Sequence, residues 1–506
     1  MQQPSRLLEP DRLILVLVGL FVLIAGTYSI TTPLFEMSDE LWHYPMVKTL
    51  ADGNGLPIQD PENVGPWRQQ GSQPPLYYAI GAGLTFWIDT SDMPDVRREN
   101  PHVDNGLITE DGNINLIVHN QEREQWPWHG TVLAVHVVRF FSILCAAVTV
   151  FMTYQIGREV FPEQRWLSLS AAAVVAFTPM FVFISAAVNN DNLAVMLATI
   201  SLWIMLRIAR TADERAPTLR LAIVLGFVLG LATLSKASTF GYIGLAGVTM
   251  AYAALRRKRW QTFFIEGPII IAIIAALSGW WFWRNWTLYG DPLGLNVFVA
   301  ILGERARDAS LAQLWGERFS FLASYWGLFG GVNVPMWDWV YRVFNWLVPL
   351  SMIGGVAWLG LEIKRTADEG QPFDPARWFP LALTLLAILA VIAPLAGSWA
   401  RNTWSSQGRL VFASIASISM WFVIGLTGWL PQRSGEVARA ALVGGLAVLT
   451  ILAPFAFIGP AYQPPGQIEP GSAGEAITFM PADQAAMRLG SAHVLEQGVR
   501  PGGTVR

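Results

Sequence analysis

The apolar run Leu13–Ile30, LILVLVGLFVLIAGTYSI, decides the fold class of this chain. It is long enough to cross about 30 Å of hydrocarbon as a helix. It follows Arg6 and Arg12, and no small-residue cleavage site comes after it, so we predict an uncleaved first span. Similar runs recur along the chain. The predicted spans are 13–30, 131–156, 166–185, 191–209, 219–235, 238–255, 263–283, 342–361, 378–397, 409–430 and 438–459.

The composition supports this interpretation. Of 506 residues, 53% are hydrophobic and only 14% are charged, which is typical of a polytopic membrane protein. The formal net charge of -3 gives no support for nucleic-acid binding, and the single cysteine, Cys145, excludes an internal disulfide. We therefore predict an all-α fold: a polytopic transmembrane helical bundle of about 11 spans in the lipid bilayer, with interfacial helices in a large first outside loop.

The orientation follows from basic residues on alternate loops, such as those at 256–259, because cytoplasmic loops are enriched in Lys and Arg. The segment Pro75–Ile88 is apolar but too short to span comfortably, so it is predicted as an interfacial or re-entrant helix. The predicted regions are a cytoplasmic N-terminus 1–12, a first span 13–30, an outside loop 31–130, a transmembrane core 131–283, an outside loop 284–341, C-terminal transmembrane helices 342–459 and an outside, partly disordered tail 460–506.

The segment Ser38-Asp39-Glu40-Leu41-Trp42-His43 follows the first span closely and carries two adjacent acids. If the segment is helical, His43 lies on the same face as Asp39 and Glu40. Adjacent carboxylates repel, so one is expected to keep a raised pKa, which suits a general base near neutral pH. The alternative is a solvated pair at the end of a span.

Further polar residues fall on turns predicted to lie outside. The run Asn189-Asn190-Asp191-Asn192 is either a helix N-cap or a surface that binds sugar hydroxyls. Lys236 either snorkels at a helix end or binds phosphate. Arg284 and Arg409 each pair with an outside acid or bind an anion, because unpaired arginines at this depth are costly.

Metal and nucleotide sites have little support. The four histidines at 102, 119, 129 and 136 lack a tight ligand spacing, although one histidine with Glu40 could hold a divalent ion, so no cofactor is certain and a divalent metal stays open. No nucleotide-binding loop is present. The energy for chemistry would come from an activated, lipid-linked substrate.

Several motifs, taken in their order along the chain, resemble those of the GT-C superfamily of polytopic glycosyltransferases, specifically the bacterial mannosyltransferase-like (RgtA/B/C/D-like) branch of family 39. The resemblance extends from the first span to about Leu430. The motifs are Asp39-Glu40 with His43, Gln73-Pro74-Pro75-Leu76-Tyr77-Tyr78, Asn189-Asn190-Asp191, Gly230-Leu231-Ala232-Thr233-Leu234-Ser235-Lys236, Arg284-Asn285-Trp286-Thr287-Leu288-Tyr289-Gly290-Asp291-Pro292 and Gln407-Gly408-Arg409.

The resemblance implies a multi-pass enzyme of the plasma membrane with its active site outside. It would transfer a sugar, usually with inversion, from a polyprenyl-phosphate donor to a glycan, lipid or protein acceptor. It implies a catalytic carboxylate at Asp39 or Glu40; we expect Asp39 as base, oriented by Glu40 and His43. The expected donor or substrate contacts are Tyr77, Asn189, Asn190, Asp191, Lys236, Arg284, Gln407 and Arg409.

Two other functions remain open from the sequence. A transporter or flippase of a lipid-linked saccharide would also place acids and cations at span ends, although it predicts charges deep within spans. A ligase or polymerase that joins whole oligosaccharides is the other alternative.

Overall fold

The computed structural model describes residues 9–103, 105–106, 113–463, 477–479 and 487–489. The chain divides into two compact units, 1–462 and 463–506. Within the second unit, β3 Ile477–Phe479 and β4 Met487–Leu489 form an antiparallel pair, with Ile477 opposite Leu489. Most of the predicted N-terminus 1–12 and most of the predicted disordered tail 460–506 lie outside the described residues.

The first unit is almost entirely helical. Its helices, in chain order, are α1 Pro10–Thr31, α2 Glu40–Ala51, α3 Leu76–Thr85, α4 Met93–Val96, α5 Gln121–Glu124, α6 Gly130–Val160, α7 Arg165–Ala176, α8 Pro179–Ser185, α9 Asp191–Asp213, α10 Leu219–Thr233, α11 Gly241–Arg257, α12 Gln261–Tyr289, α13 Leu295–Leu302, α14 Leu311–Gly316, α15 Arg318–Trp326, α16 Asp338–Asp368, α17 Pro375–Arg401, α18 Ile415–Thr427, α19 Gln432–Ala453 and α20 Gly459–Ala461. The short strands β1 Leu328–Phe329 and β2 Val334–Pro335 pair antiparallel. Short 3₁₀ segments lie at Arg68–Ser72, Ala237–Thr239, Thr403–Ser406 and Gly408–Ser414, and a π segment lies at Pro454–Ile458.

Every predicted span coincides with helix. Within the described residues, nine helices are long and apolar enough to cross a membrane, or ten if the bent pair α7 and α8 counts as one span. The bend between α7 and α8 is 62°, and it falls where Pro179 lacks the N–H that would continue α7. The eleventh segment, α10, is apolar but has only 15 residues. The prediction of an all-α polytopic bundle is confirmed.

Close packing of α10 against α12 depends on two small residues of α10. A Cβ at Gly226 would lie 3.1 Å from Ile273 Cβ, and one at Gly230 would lie 2.7 Å from Leu277 Cδ1. Small residues allow helix backbones to approach in a bilayer, where no hydrophobic effect drives helices together. This contact supports the end of α10, from which Lys236 follows.

The segment that leads into α5 is tied to the residues after α1 by a half-buried histidine. His119 Nδ1 lies 2.7 Å from Glu124 Oε1, and His119 Nε2 lies 2.9 Å from Glu36 Oε1. Both ring nitrogens can donate only when the imidazole is protonated. Burial lowers the pKa of His119, but Glu124 and Glu36 outweigh that effect and raise it to about 9. The charged histidine therefore joins α5 to the residues that precede α2.

This pairing predicts a stability that depends on pH. The pKa of His119 is raised above its ordinary value of 6.5, so its stabilising contribution is complete below about pH 6.5 and is lost as pH rises through about 9. We expect the thermal unfolding midpoint of the wild type to fall across that interval more steeply than that of His119→Gln. His102→Gln, at an exposed histidine of the same loop, is the matched control. Parallel slopes for wild type and His119→Gln would contradict the assignment.

Candidate active site

Asp39 lies at the N-cap of α2 in an unusual backbone conformation. Its φ of 63° and ψ of -2° are left-handed, and its side chain makes no capping hydrogen bond. Asp adopts this region more readily than most residues, but the conformation is still costly and is often found at functional sites. The carboxylate is used elsewhere: its Oδ2 accepts a hydrogen bond from Arg409 Nη2.

The Arg409 pairing determines the charge of Asp39. Burial raises the pKa of Asp39, but the Arg409 guanidinium and smaller contributions from His43 and Lys236 together outweigh that effect, so the pKa lies below its ordinary value. Asp39 is therefore ionised at neutral pH, so the raised pKa that the sequence predicts for one of the two adjacent acids does not fall on Asp39. Arg409 Nε also donates to Gln407 Oε1 at 2.7 Å, which fixes the guanidinium in place.

His43 lies one turn into α2 and is neutral. Its Nδ1 is 2.8 Å from Tyr78 Oη, and the two rings are stacked with centroids 5.7 Å apart. Burial lowers the pKa of His43 to about 3, although the Asp39 carboxylate opposes the shift. A neutral imidazole in this position can orient a neighbour by a hydrogen bond, but it carries no charge to a substrate.

A second ion pair faces the same space. Lys236 Nζ lies 2.6 Å from Asp191 Oδ1. Asp191 is the first residue of α9, and its backbone N–H donates to Asn189 Oδ1 at 2.9 Å. The lysine side chain is 18% exposed, and an ammonium has three donors, so two remain for a ligand.

These residues line one cavity of about 540 Å³. Its polar lining residues are Ser38, Asp39, His43, Arg68, Gln69, Gln70, Gln73, Asn105, Asp191, Lys236, Ser238, Ser398, Ser405, Gln407 and Arg409. Its apolar lining residues are mainly Phe240, Leu293, Leu295, Phe298, Ile301, Leu302, Val332, Val391, Pro394, Leu395 and Leu410. The cavity therefore suits a ligand with a polar head and a hydrocarbon part.

Six of the predicted site residues line this cavity, namely Asp39, His43, Asp191, Lys236, Gln407 and Arg409. The expectation that Glu40 shares their face is wrong. Asp39 lies outside the helical register because its backbone is left-handed, and Glu40, the first residue of α2, turns into the core. The Glu40 side chain is completely buried.

Arg139 holds Glu40 in the core. Arg139 Nε donates to Glu40 Oε1 at 2.8 Å, and the backbone N–H groups of Phe35 and Val188 also donate to this carboxylate, each at 2.9 Å. Sequence reasoning did not single out Arg139, although a lone arginine within the apolar run 131–156 is a signal of a functional or structural ion pair. The pair joins α6 to the start of α2 and the turn before α9.

The other predicted contacts, Tyr77, Asn189, Asn190 and Arg284, are not among the lining residues of the cavity. Tyr77 is buried, with its hydroxyl 2.7 Å from Ser142 Oγ and accepting from Asn189 N–H at 3.0 Å. Asn190 donates to Gln73 Oε1 and to Ser235 O. Arg284 donates to the carbonyl oxygens of Leu56 and Pro57, and its guanidinium lies 5.2 Å from the Trp281 ring centroid.

Sequence reasoning also missed the amides at Gln69 and Gln70, which belong to the 3₁₀ segment Arg68–Ser72. No periodic pattern marks a short 3₁₀ turn in a loop. For a metal, the described residues contain no group of three or more His, Cys, Asp or Glu side chains with suitable geometry. Glu40, the carboxylate suggested for such an ion, is already engaged by Arg139.

Comparison with known proteins gives a family match. Residues 132–283 match the dolichyl-phosphate-mannose-protein mannosyltransferase family. That stretch contains Asp191 and Lys236, whereas Asp39 and Arg409 lie outside it. No curated protein matches the chain.

Two solved structures are similar at low identity. The S. cerevisiae protein O-mannosyltransferase Pmt1-Pmt2 complex bound to the sugar donor is 15% identical, with 55% of this chain and 34% of that chain covered and a TM-score of 0.35. The Archaeoglobus fulgidus oligosaccharyltransferase tethered with an acceptor peptide is 14% identical, with 90% and 56% covered and a TM-score of 0.44. The chain thus spans about a third to just over half of the length of these proteins.

Proposed function

We propose that this chain, whose residues 132–283 match the dolichyl-phosphate-mannose-protein mannosyltransferase family, is a membrane glycosyltransferase of the GT-C type that transfers a sugar from a polyprenyl-phosphate donor to an acceptor hydroxyl. The observation that carries this proposal is the cavity, whose lining combines Asp39, Lys236 and Arg409 with many apolar residues. The charged residues suit a sugar phosphate, and the apolar residues suit the first units of a polyprenyl chain. The lining thus offers groups for both chemical parts of such a donor.

In the proposed reaction, Asp39 is the base. The acceptor oxygen forms a bond to the anomeric carbon, while the bond from that carbon to the phosphate oxygen breaks and its electron pair leaves with the phosphate. The acceptor proton passes to the Asp39 carboxylate. Because the pKa of Asp39 is lowered, this transfer occurs late, when the forming bond has made the acceptor hydroxyl acidic. Attack opposite to the leaving phosphate inverts the anomeric configuration.

Two cations support the step. Lys236 retains two donors beyond its bond to Asp191, and we assign them to the phosphate oxygens, where negative charge develops. Arg409 keeps Asp39 ionised and fixed by its hydrogen bond. We assign the orientation of Asp39 to His43, a neutral neighbour that is hydrogen-bonded to Tyr78.

We further propose that the cavity faces the outside of the plasma membrane. The support is the alternation of basic loops along the chain, which places the segments 31–130 and 284–341 opposite the Arg-rich loops. Both segments contribute lining residues, including Gln70 and Phe298. A donor would then enter from the outer half of the bilayer.

Carrier release tests the proposed function. Purified protein in lipid nanodiscs would receive a panel of polyprenyl-phosphate sugars with mixed acceptors, with release of polyprenyl phosphate measured by mass spectrometry and empty nanodiscs as control. We expect release coupled to a glycosylated product of inverted configuration for at least one donor. The absence of release for every donor, together with movement of the intact lipid or a solute across the membrane, would replace this proposal with transport.

A further inference from the structure

Three side-chain amides form a directional chain of hydrogen bonds at the cavity. Asn190 Nδ2 donates to the backbone carbonyl of Ser235 at 3.2 Å. A carbonyl oxygen only accepts, so this contact determines which end of the Asn190 amide is the nitrogen. The same Nδ2 donates to Gln73 Oε1, and Gln73 Nε2 donates to Gln70 Oε1. Each amide therefore fixes the orientation of the next.

The last member of the chain presents a donor to the cavity. Gln70 lines the cavity, and the residue is only 3% exposed. Its Oε1 is occupied by Gln73, and within the described residues its Nε2 has no hydrogen-bond partner. The nitrogen is not sealed inside the packed protein, because Gln70 Nε2 is not one of the fully buried polar atoms that lack a partner, so it can donate a hydrogen bond into the cavity. A ligand oxygen in the cavity would accept that hydrogen bond.

We propose that Gln70 Nε2 donates a hydrogen bond to an oxygen of the sugar carried by the lipid donor. The naming of that ligand rests on the proposed function. An uncharged amide suits a sugar hydroxyl, whereas the charged groups of the cavity, Lys236 and Arg409, suit the phosphate. Gln70 is thus a sugar-binding residue.

Gln73 and Asn190 are positioning residues for Gln70. They do not need to touch the sugar, because their effect is to prevent the Gln70 amide from turning its oxygen toward the ligand. An oxygen there would meet the lone pairs of a hydroxyl and require that hydroxyl to donate instead. The chain of amides therefore favours a sugar whose hydroxyl oxygen accepts a hydrogen bond at this position.

Binding measurements test this assignment without requiring turnover. In nanodiscs, the affinity for polyprenyl-phosphate mannose and polyprenyl-phosphate glucose would be compared with that for bare polyprenyl phosphate; the ratio is the gain due to the sugar. We expect Gln70→Met and Gln70→Glu to reduce this gain about 5- to 10-fold, the value of one hydrogen bond of roughly 1 kcal/mol. Gln70→Glu keeps the acceptor for Gln73 and loses the donor; the negative charge that it adds acts on the phosphate of the bare and the sugar-bearing carrier alike, so it cancels in the ratio.

A second substitution changes Gln73, the amide that orients Gln70. Gln73→Glu still accepts from Asn190 but no longer donates to Gln70, so the Gln70 amide is free to turn, and we expect about a 2- to 3-fold smaller gain. Gln371→Glu, at an exposed glutamine in the turn after α16, is the matched control and should leave the gain unchanged. Unfolding midpoints measured in parallel identify a variant that fails to fold.

The outcomes separate this inference from the proposed function. If the wild type shows a sugar gain that the Gln70 variants lose, but no donor supports transfer, the reaction is wrong and the binding assignment stands. If folded Gln70→Met and Gln70→Glu keep the full gain, the assignment is overturned even in an active enzyme. A wild type that binds bare and sugar-bearing carriers equally also overturns it.

Discussion

Asp39→Asn is expected to lower the rate of sugar transfer by about 10²- to 10⁴-fold, the usual contribution of a positioned general base. Asn keeps the size of the side chain and tolerates the left-handed backbone at this position, where φ is 63°. It still accepts a hydrogen bond from Arg409 through its amide oxygen, but it cannot take the acceptor proton. The measurement is kcat for carrier release, with the unfolding midpoint of each variant recorded in parallel.

Two further variants make this result specific. Asp52→Asn changes an exposed acid at the other end of α2, where it pairs with Lys48 at 2.8 Å, and should leave the rate unchanged. Glu40→Gln should retain transfer per folded molecule, because Glu40 does not line the cavity. Full activity in Asp39→Asn together with loss in folded Glu40→Gln would move the base to Glu40.

Arg139→Met is expected to destabilise the protein by about 3–5 kcal/mol, because it leaves the Glu40 carboxylate buried without its charge partner. Both side chains are fully buried in the wild type. Arg139 also donates to the carbonyl oxygens of Ser29 and Thr32, at 2.6 and 3.1 Å, so the substitution also loosens the end of α1. The measurement is the unfolding midpoint in detergent, with the fraction of monodisperse protein.

An exposed arginine of the same helix provides the comparison. Arg158 pairs with Asp11 at 3.1 Å, and its side chain is 38% exposed. Exposed pairs contribute about 0–1 kcal/mol, so Arg158→Met should change the midpoint little. The double variant Arg139→Met, Glu40→Gln should be more stable than Arg139→Met alone, because the uncompensated charge is removed. Equal midpoints for Arg139→Met and Arg158→Met would show that the buried pair is not needed for stability.

The spans were predictable because their signal is local. An apolar run of about 20 residues in a bilayer must satisfy its backbone hydrogen bonds internally, so a run such as Leu13–Ile30 becomes a helix whatever its neighbours are. The bend before Pro179 has an equally local cause. The segment Pro75–Ile88 was too short for a span, and the structure has a helix of 10 residues there, Leu76–Thr85.

Asp39 and Glu40 show what the local sequence cannot predict, namely which of two adjacent acids faces the cavity. The two acids are adjacent and chemically alike, yet one faces the cavity and pairs with Arg409, while the other enters the core and pairs with Arg139. Nothing within a few residues distinguishes them, because both partners come from distant helices. Likewise, the amide chain from Asn190 through Gln73 to Gln70 joins segments far apart in sequence.

The sequence by itself determined the helical membrane class, the positions of the helices and the polar turns that carry Asp39, Asp191, Lys236 and Arg409. Those features depend on the hydrophobicity of a single stretch of chain, because a segment of about 20 apolar residues is stable in the bilayer without help from distant residues. Only the tertiary structure decided which of these side chains meet, since each ion pair forms where helix packing brings two distant charges within a few ångströms in a space of low dielectric. The proposed function depends on the tertiary structure, because helix packing places Asp39 at the cavity beside Arg409 and Glu40 in the core beside Arg139.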